Sequence, residues 1–350
     1  MRTAGLAMFF LPLLAGQAPD AIATANRPLE GTATIKLNVV VNDKTGKPVP
    51  GLEQKDFTIV DNKQPQAVLS FEAVSGTHAK AEPVEVIIII DAVNLPYTRV
   101  AYARDQLKRF LKQEGGQLTF PAMIGFLTDK GLDVQGVPTR DGNALVAYMD
   151  QNPSGLRTIN RQQGFWGRDD QMQLSVRAFD QLSQFTVGMP GRKIVIFLSP
   201  GWPMISGPNV ELSQKDQQGI FNTIVSLSTQ LRSSGITLYD VDPLGTSDSG
   251  SFRTFYWQSF IKGVRAPRDV QIGNLALQVL AFESGGRVLN SNNDIAGEIE
   301  TCVRDADDYY ILTFAPAAAD GPNDYRAIQV QVDRPKLKAQ TLTGYYAQPQ

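Results

Sequence analysis

The 350-residue sequence has one cysteine, Cys302, and one histidine, His78. A lone cysteine excludes an intramolecular disulfide, and no lipid-bearing cysteine follows the N-terminal apolar run, so stability has to come from packing. A lone histidine, in what reads as a linker, argues against a Ser-His-Asp arrangement. No Gly-x-Ser-x-Gly elbow, Gly-x-x-x-x-Gly-Lys phosphate loop or His-Glu-x-x-His zinc pattern occurs. An excess of one charge is missing too: 33 Lys and Arg stand against 35 Asp and Glu, a net charge of -2. That balance favours neither nucleic acid nor anionic lipid as a partner. Internal repeats, heptads and low-complexity tracts are absent.

What is present begins with an export pattern. Arg2 precedes a short apolar run from Leu6 to Leu14, far below the roughly 20 residues that span a bilayer. Small residues follow, and Ala23 and Ala25 suit a cleavage site after Ala25, with Ala18 before Pro19 the less comfortable choice. Residues 1–25 are therefore expected to be a signal peptide. The mature chain is expected in the periplasm or outside the cell, without a membrane span.

Two patterns divide the rest. Residues 30–78 carry short alternating runs, ATIKLNVVV at Ala33 to Val41, Phe57 to Val60 and Val68 to Val74, joined by polar turns such as Asn42 to Gly46. Fewer than about fifty residues bury too little surface to be stable alone. Matching strands recur in 320–347, at Tyr325 to Asp333 and Lys338 to Tyr346, so both chain ends are expected to build one small β-sandwich domain. Between them, over 82–316, strand-like and helical runs alternate, the mark of an α/β fold with a doubly wound, mostly parallel sheet. Val84 to Asp91 is apolar without alternation from Val86 to Ile90, as a central strand covered on both faces requires. Further strands are expected near Ala122 to Leu127, Leu132 to Val137, Lys193 to Leu198 and Ile236 to Val241, with Tyr309 to Phe314 closing the unit. Helical stripes include Val100 to Leu111, Leu174 to Phe185, Ile220 to Leu231, Leu277 to Phe282 and Ile295 to Val303. Cys302 falls within the last stripe and reads as a buried, inert thiol.

In such sheets ligands bind beyond the carboxyl ends of the strands. Asp91 ends a central strand there, with Asn94 three positions on. Its plain structural role is to accept backbone N–H groups at the strand-to-helix turn. On the same rim, Gly201-Trp202-Pro203 follows one strand. The segment after Asp242-Pro243 holds Phe252, Phe255, Tyr256, Trp257 and Phe260, with Arg253 and Lys262 between them. That composition suits either a protein-binding surface or rings closing a core. The segment Gly155 to Asp170 reads as a polar surface excursion.

The segments Asp43 to Val49, Leu52 to Phe57, the strand ending at Asp91, and the tail Tyr309 to Leu312 with Gly344 to Tyr346 resemble the von Willebrand factor A (VWFA) family. More narrowly, they resemble exported bacterial proteins described as acidobacterial VWFA-related. Pro138-Thr139-Arg140-Asp141 is a further, shorter match. The resemblance implies a Rossmann-like α/β domain and, in many members, Mg²⁺ at a metal-ion-dependent adhesion site. That site takes an Asp-x-Ser-x-Ser motif, a distant Thr and an Asp after the fourth strand. This sequence departs from it: Val93 and Leu95 fill the serine positions, and Ser199-Pro200-Gly201 stands where an Asp-Gly is common. The ligand set it implies is Asp91, Asn94, Thr139, Asp141 and Ser199.

Three functions stay open: a metal-assisted adhesion module, a metal-independent protein-binding module using Trp202, Phe255, Tyr256 and Trp257, and a hydrolase. The last would use Asp240 with Asp242 or Asp169 with Asp170, acids that more commonly lie solvated in loops. A non-catalytic binder of another protein is the expected class.

Overall fold

The computed structural model describes residues 34–75, 83–152, 165–202, 212–245 and 256–349. The signal segment 1–25, His78, residues 155–164, Pro203, Phe252, Arg253 and Phe255 lie outside the described residues. The first described segment holds four strands: β1 (Ile35–Asn42), β2 (Phe57–Asp61), β3 (Gln64–Gln66) and β4 (Ser70–Ser75). In β1, Ile35, Leu37, Val39 and Val41 are buried while Lys36 is exposed, the period of two that a strand produces.

A seven-stranded sheet follows. β5 (Val84–Asp91) lies between β6 (Gln117–Thr128) and β9 (Arg192–Leu198), parallel to both. β10 (Ile236–Val241) and the short β11 (Val288–Leu289) extend it in parallel beyond β9. Along the outer edge of β6 run two antiparallel strands, β7 (Gly131–Val134) and β8 (Thr139–Asp141). Ile87 to Ile90 are all 0% exposed, each contributing about 2 kcal/mol of apolar burial.

Alternate side chains of β5 feed two cores. Ile88 and Ile90 pack with α1 (Tyr97–Leu111), α2 (Gly142–Gln151) and α6 (Ile295–Arg304). Ile87 and Ile89 pack with α3 (Phe165–Thr186), α4 (Gln214–Ser233) and α5 (Leu277–Glu283). The sheet is thus covered on both faces, as its apolar strands require. Two local expectations are corrected here. Phe165 to Asp170 is the start of α3 rather than part of a surface excursion, and α2 arises where no helix was expected, capped by Asp141 at its N-terminus.

The chain ends in β12 (Asp308–Phe314), β13 (Asp324–Val332), β14 (Lys338–Gln340) and β15 (Gly344–Ala347). They join the first four strands in two antiparallel sheets, ordered β14-β1-β12-β4 and β15-β13-β2-β3. Leu37, Ile59, Tyr310, Phe314, Ile328 and Tyr345 share the core between them. The expectation that Tyr309 to Phe314 closes the α/β unit is corrected: β12 pairs antiparallel with β1 and β4. The reason is physical. Tyr310, Leu312 and Phe314 enter the sandwich core, while Tyr309 and Ile311 enter the core shared with α1 and α6. Burial on both faces gives β12 the unbroken apolar run of a parallel-sheet strand. Lys338 to Tyr346 likewise forms two strands, in different sheets.

A buried ionic joint ties the layers together. Asp305 is 0% exposed, and its carboxylate accepts from Arg287 Nε at 2.9 Å, Arg287 Nη2 at 2.5 Å and the Tyr239 hydroxyl at 3.0 Å. Its backbone carbonyl accepts from Arg192 Nη1 at 2.8 Å, and that guanidinium lies 4.6 Å from the centre of the Tyr309 ring.

Candidate functional site

The turn after β5 is built around the Asp91 carboxylate. Oδ1 accepts the backbone N–H groups of Val93 (3.1 Å) and Asn94 (3.0 Å), and Oδ2 accepts from Asn94 Nδ2 and Ser199 Oγ, both at 2.8 Å. Asp91 and Ser199 are each 0% exposed. The network continues outward. Asn94 Nδ2 also donates to Ser175 Oγ at 3.0 Å, Ser175 Oγ to the Gln171 carbonyl at 2.8 Å, and Gln171 Nε2 to the Val93 carbonyl at 3.0 Å. β5, the end of β9 and the face of α3 are thus laced by one chain of polar contacts. Burial raises the Asp91 carboxyl above its ordinary range, and the Asn94 and Ser199 hydrogen bonds oppose that rise.

Of the five residues of the implied cation set, the structure brings three together, Asp91, Asn94 and Ser199. Thr139 and Asp141 lie elsewhere. Asp91 is paired with Leu127 and Thr139 with Ala122, five positions back along β6, which is about 16 Å of extended strand. Asp141 lies farther still, opposite Gln117, where its carboxylate caps α2 by accepting from Asn143 and Ala144 N–H. Val93 and Leu95, at the serine positions, are 0% exposed and belong to the two opposite cores. They plug the turn instead of facing a ligand. Mg²⁺ needs near-octahedral oxygen at about 2.0 to 2.1 Å, with a carboxylate free to bind it. The five residues do not fit it: two are at the far end of the sheet, and Asp91 is already saturated by N–H and O–H donors. Among the described residues no three acidic, histidine or cysteine side chains converge as a metal site.

The rim aromatics separate into buried and exposed. Trp202 is 3% exposed and meets Phe179 edge-on at 5.1 Å. Trp257 (8%) and Phe260 (6%) form a small core with Ala276 and Val279, so Trp202 and Trp257, two of the four expected binding rings, close the fold instead. Tyr256, at 36%, stands out over Phe260 (5.2 Å), and Phe282, at 37%, over Trp257 (6.0 Å). Phe282 was not expected as a surface residue, because the helical stripe of α5 placed it inward.

Of the acids named for hydrolysis, Asp242 lies just past β10 and is half-buried and Asp170 is exposed on α3, but Asp240 is not a solvated loop residue. Asp240 sits within β10 at 0% exposure, with neither carboxylate oxygen in hydrogen-bond geometry. The Gln278 side chain, which favours its ionised form, falls outside that geometry. Burial first, then the charges of Asp242 and Asp91, push the Asp240 carboxyl well above its ordinary range. Glu298, which sequence reading passed over, is pushed up to about 7 by burial, Asp242 and Asp294. Cys302 is fully buried and its thiol is pushed well up by the same cause. The signal for the buried Asp240 was there to read: one acid inside the otherwise apolar and aromatic run ITLYDV.

No protein-family model matches the chain, and no curated protein matches it. Among solved structures, the chain is similar to an aerotolerance-related membrane protein from Bacteroides fragilis NCTC 9343. The identity is 16% and the TM-score 0.33, over 63% of this chain and 98% of that one. It is similar to the pilus adhesin SpaC from Lactobacillus rhamnosus GG at 9% identity and a TM-score of 0.38, over 86% of this chain and 49% of the adhesin. With the PilB minor pilin from Streptococcus sanguinis the identity is 10% and the TM-score 0.32, over 65% of this chain and 62% of the pilin. The chain spans about half of the adhesin and under two thirds of the pilin.

Proposed function

We propose that this chain is an exported, non-catalytic module that binds another protein without a metal ion. One observation carries the metal-free part: the Asp91 carboxylate spends its acceptor capacity on four donors of its own chain while sealed from solvent. In that role Asp91 braces the strand-end turn, and Asn94, Ser175 and Ser199 do the work a cation does in the resembled family. The surface offered to a partner carries two exposed rings, Tyr256 over buried Phe260 and Phe282 over buried Trp257. Rigid aromatic anchors of this kind concentrate binding energy at protein interfaces. The buried thiol and the sealed Asp240 support the non-catalytic reading, since neither meets a substrate. Export rests on the pattern of residues 1–25.

Calorimetric titration of the mature chain with Mg²⁺ and Mn²⁺ tests the reading. A flat titration in the wild type and in Asp91→Asn is expected. A saturable isotherm that Asp91→Asn abolishes would restore the cation-dependent alternative.

A further inference from the structure

A cleft of about 530 Å³ opens at the end of the central sheet opposite Asp91, between the last turn of α1, the start of β6 and the last turn of α6. Its floor is apolar and fixed: Val86, Phe110, Leu118, Phe120 and Ala122 are each under 9% exposed. The volume lies in the range that accepts a small organic ligand, and rigid apolar walls of this kind are the usual lining of such sites.

The rim carries a different chemistry. Glu114, Glu300 and Asp307 bring three carboxylates, against one guanidinium, Arg304, which donates to Thr301 Oγ1 at 2.8 Å. The backbone holds Glu114 in place: its φ of 47° is left-handed, and Gly115 and Gly116 continue the turn at 71° and 91°. Glycine adopts such angles freely, whereas a glutamate there costs about 1 kcal/mol or more. Asp307 is partly buried, and desolvation together with the neighbouring Asp308 raises its carboxyl, while Arg304 lowers it. An added positive charge would relieve that repulsion. An apolar floor beneath a net-negative rim is complementary to a molecule with an apolar body and one cationic head. A carboxylate of the same shape would face like charge.

We propose that the cleft between α1, β6 and α6 binds a small apolar primary amine, its hydrocarbon part on Phe110, Leu118 and Phe120 and its ammonium group between Glu114 and Glu300. This site is independent of the partner-binding surface. Its residues lie in the described part of the chain and include none of the rim aromatics.

The test uses three probes of one shape, 3-phenylpropylammonium, 3-phenylpropanol and 3-phenylpropanoate, titrated into the ¹⁵N-labelled full chain. The ammonium is expected to bind saturably, to shift the amides of Phe110, Leu118, Ala122 and Val303, and to bind about tenfold more tightly than the carboxylate. Glu114→Gln with Glu300→Gln changes two exposed residues, so the fold is kept. This variant is expected to weaken the ammonium about tenfold and leave the alcohol unchanged. Equal binding of ammonium and carboxylate, shifts confined to other residues, or no saturable binding of the ammonium would each overturn the proposal. So would an unchanged affinity in the double variant.

Discussion

The Ser199 hydroxyl donates to Asp91 Oδ2 at 2.8 Å, joining the ends of two neighbouring parallel strands across 108 positions of sequence. Both residues are fully buried, so the bond is made in a medium where an unpaired partner is costly. Asp91→Ala removes the acceptor of four buried hydrogen bonds and is expected to lower the unfolding free energy by about 3 to 5 kcal/mol. Urea unfolding measures it. An effect below 1 kcal/mol would remove Asp91 from its bracing role.

The two rim aromatics with different burial give opposite expectations. Trp257→Ala empties a core position and is expected to cost about 3 kcal/mol of stability. Tyr256→Ala, on the surface, is expected to change stability by less than about 0.5 kcal/mol while weakening partner binding. Thermal unfolding of the two variants side by side separates them, and equal destabilisation would contradict the assignment of Tyr256 to the surface.

This division shows where sequence reading stops. The covered central strand, five of the six α-helices among the described residues and the acid at the strand end were legible because each depends on neighbours within a few residues. The partner of β12 was not, because a strand buried on both faces looks the same in a parallel sheet and in a sandwich backed by helices. Thr139 was assigned to the wrong end of the sheet for a related reason. Nothing in Pro138 to Asp141 records that the chain runs back along β6 before α2 begins. Trp257 was ambiguous from composition, since interfaces and cores draw on the same rings.

Glu283, at the end of α5, lies beside Tyr325 and Tyr346, and burial pushes its carboxyl from the ordinary 4.5 up to about 8. Glu298 follows in the same direction, to about 7. A carboxyl raised in the folded state contributes stability that is fully present below its unfolded value and is lost as pH rises through the folded one. The protein is therefore expected to lose stability between about pH 5 and pH 8, and Glu283→Gln to remove on the order of 2 to 4 kcal/mol of that loss. Chemical denaturation at both ends of the window measures it. A flat wild-type profile would show that Glu283 stays ionised.

The Arg287 to Asp305 pair is buried, with side-chain exposures of 18% and 1%. Removing one partner strands the other charge, so Arg287→Met is expected to cost about 3 to 5 kcal/mol. Double substitution with Asp305→Asn is expected to recover part of the loss, and a double-mutant cycle reads the coupling directly. Full additivity would mean that the two do not interact.

Cys302 should stay unmodified by a thiol reagent in the native protein and react once the chain is unfolded. Its raised pKa and complete burial both withhold the thiolate. Rapid native labelling would show that α6 opens locally.

Ser75 and Asp308 are directly opposite one another in the β4 to β12 ladder, and the Ser75 hydroxyl donates to the Asp308 carboxylate at 2.5 Å. The entire central sheet with its helices is threaded between those two positions. Tension applied at the two chain ends would therefore be borne by the ladders of the outer strands. The helix-covered body is inserted as a side loop whose neck is pinned shut, and contacts of the last strand, Tyr346 on Phe221 of α4 and on the Val264 carbonyl, would carry pull into it directly.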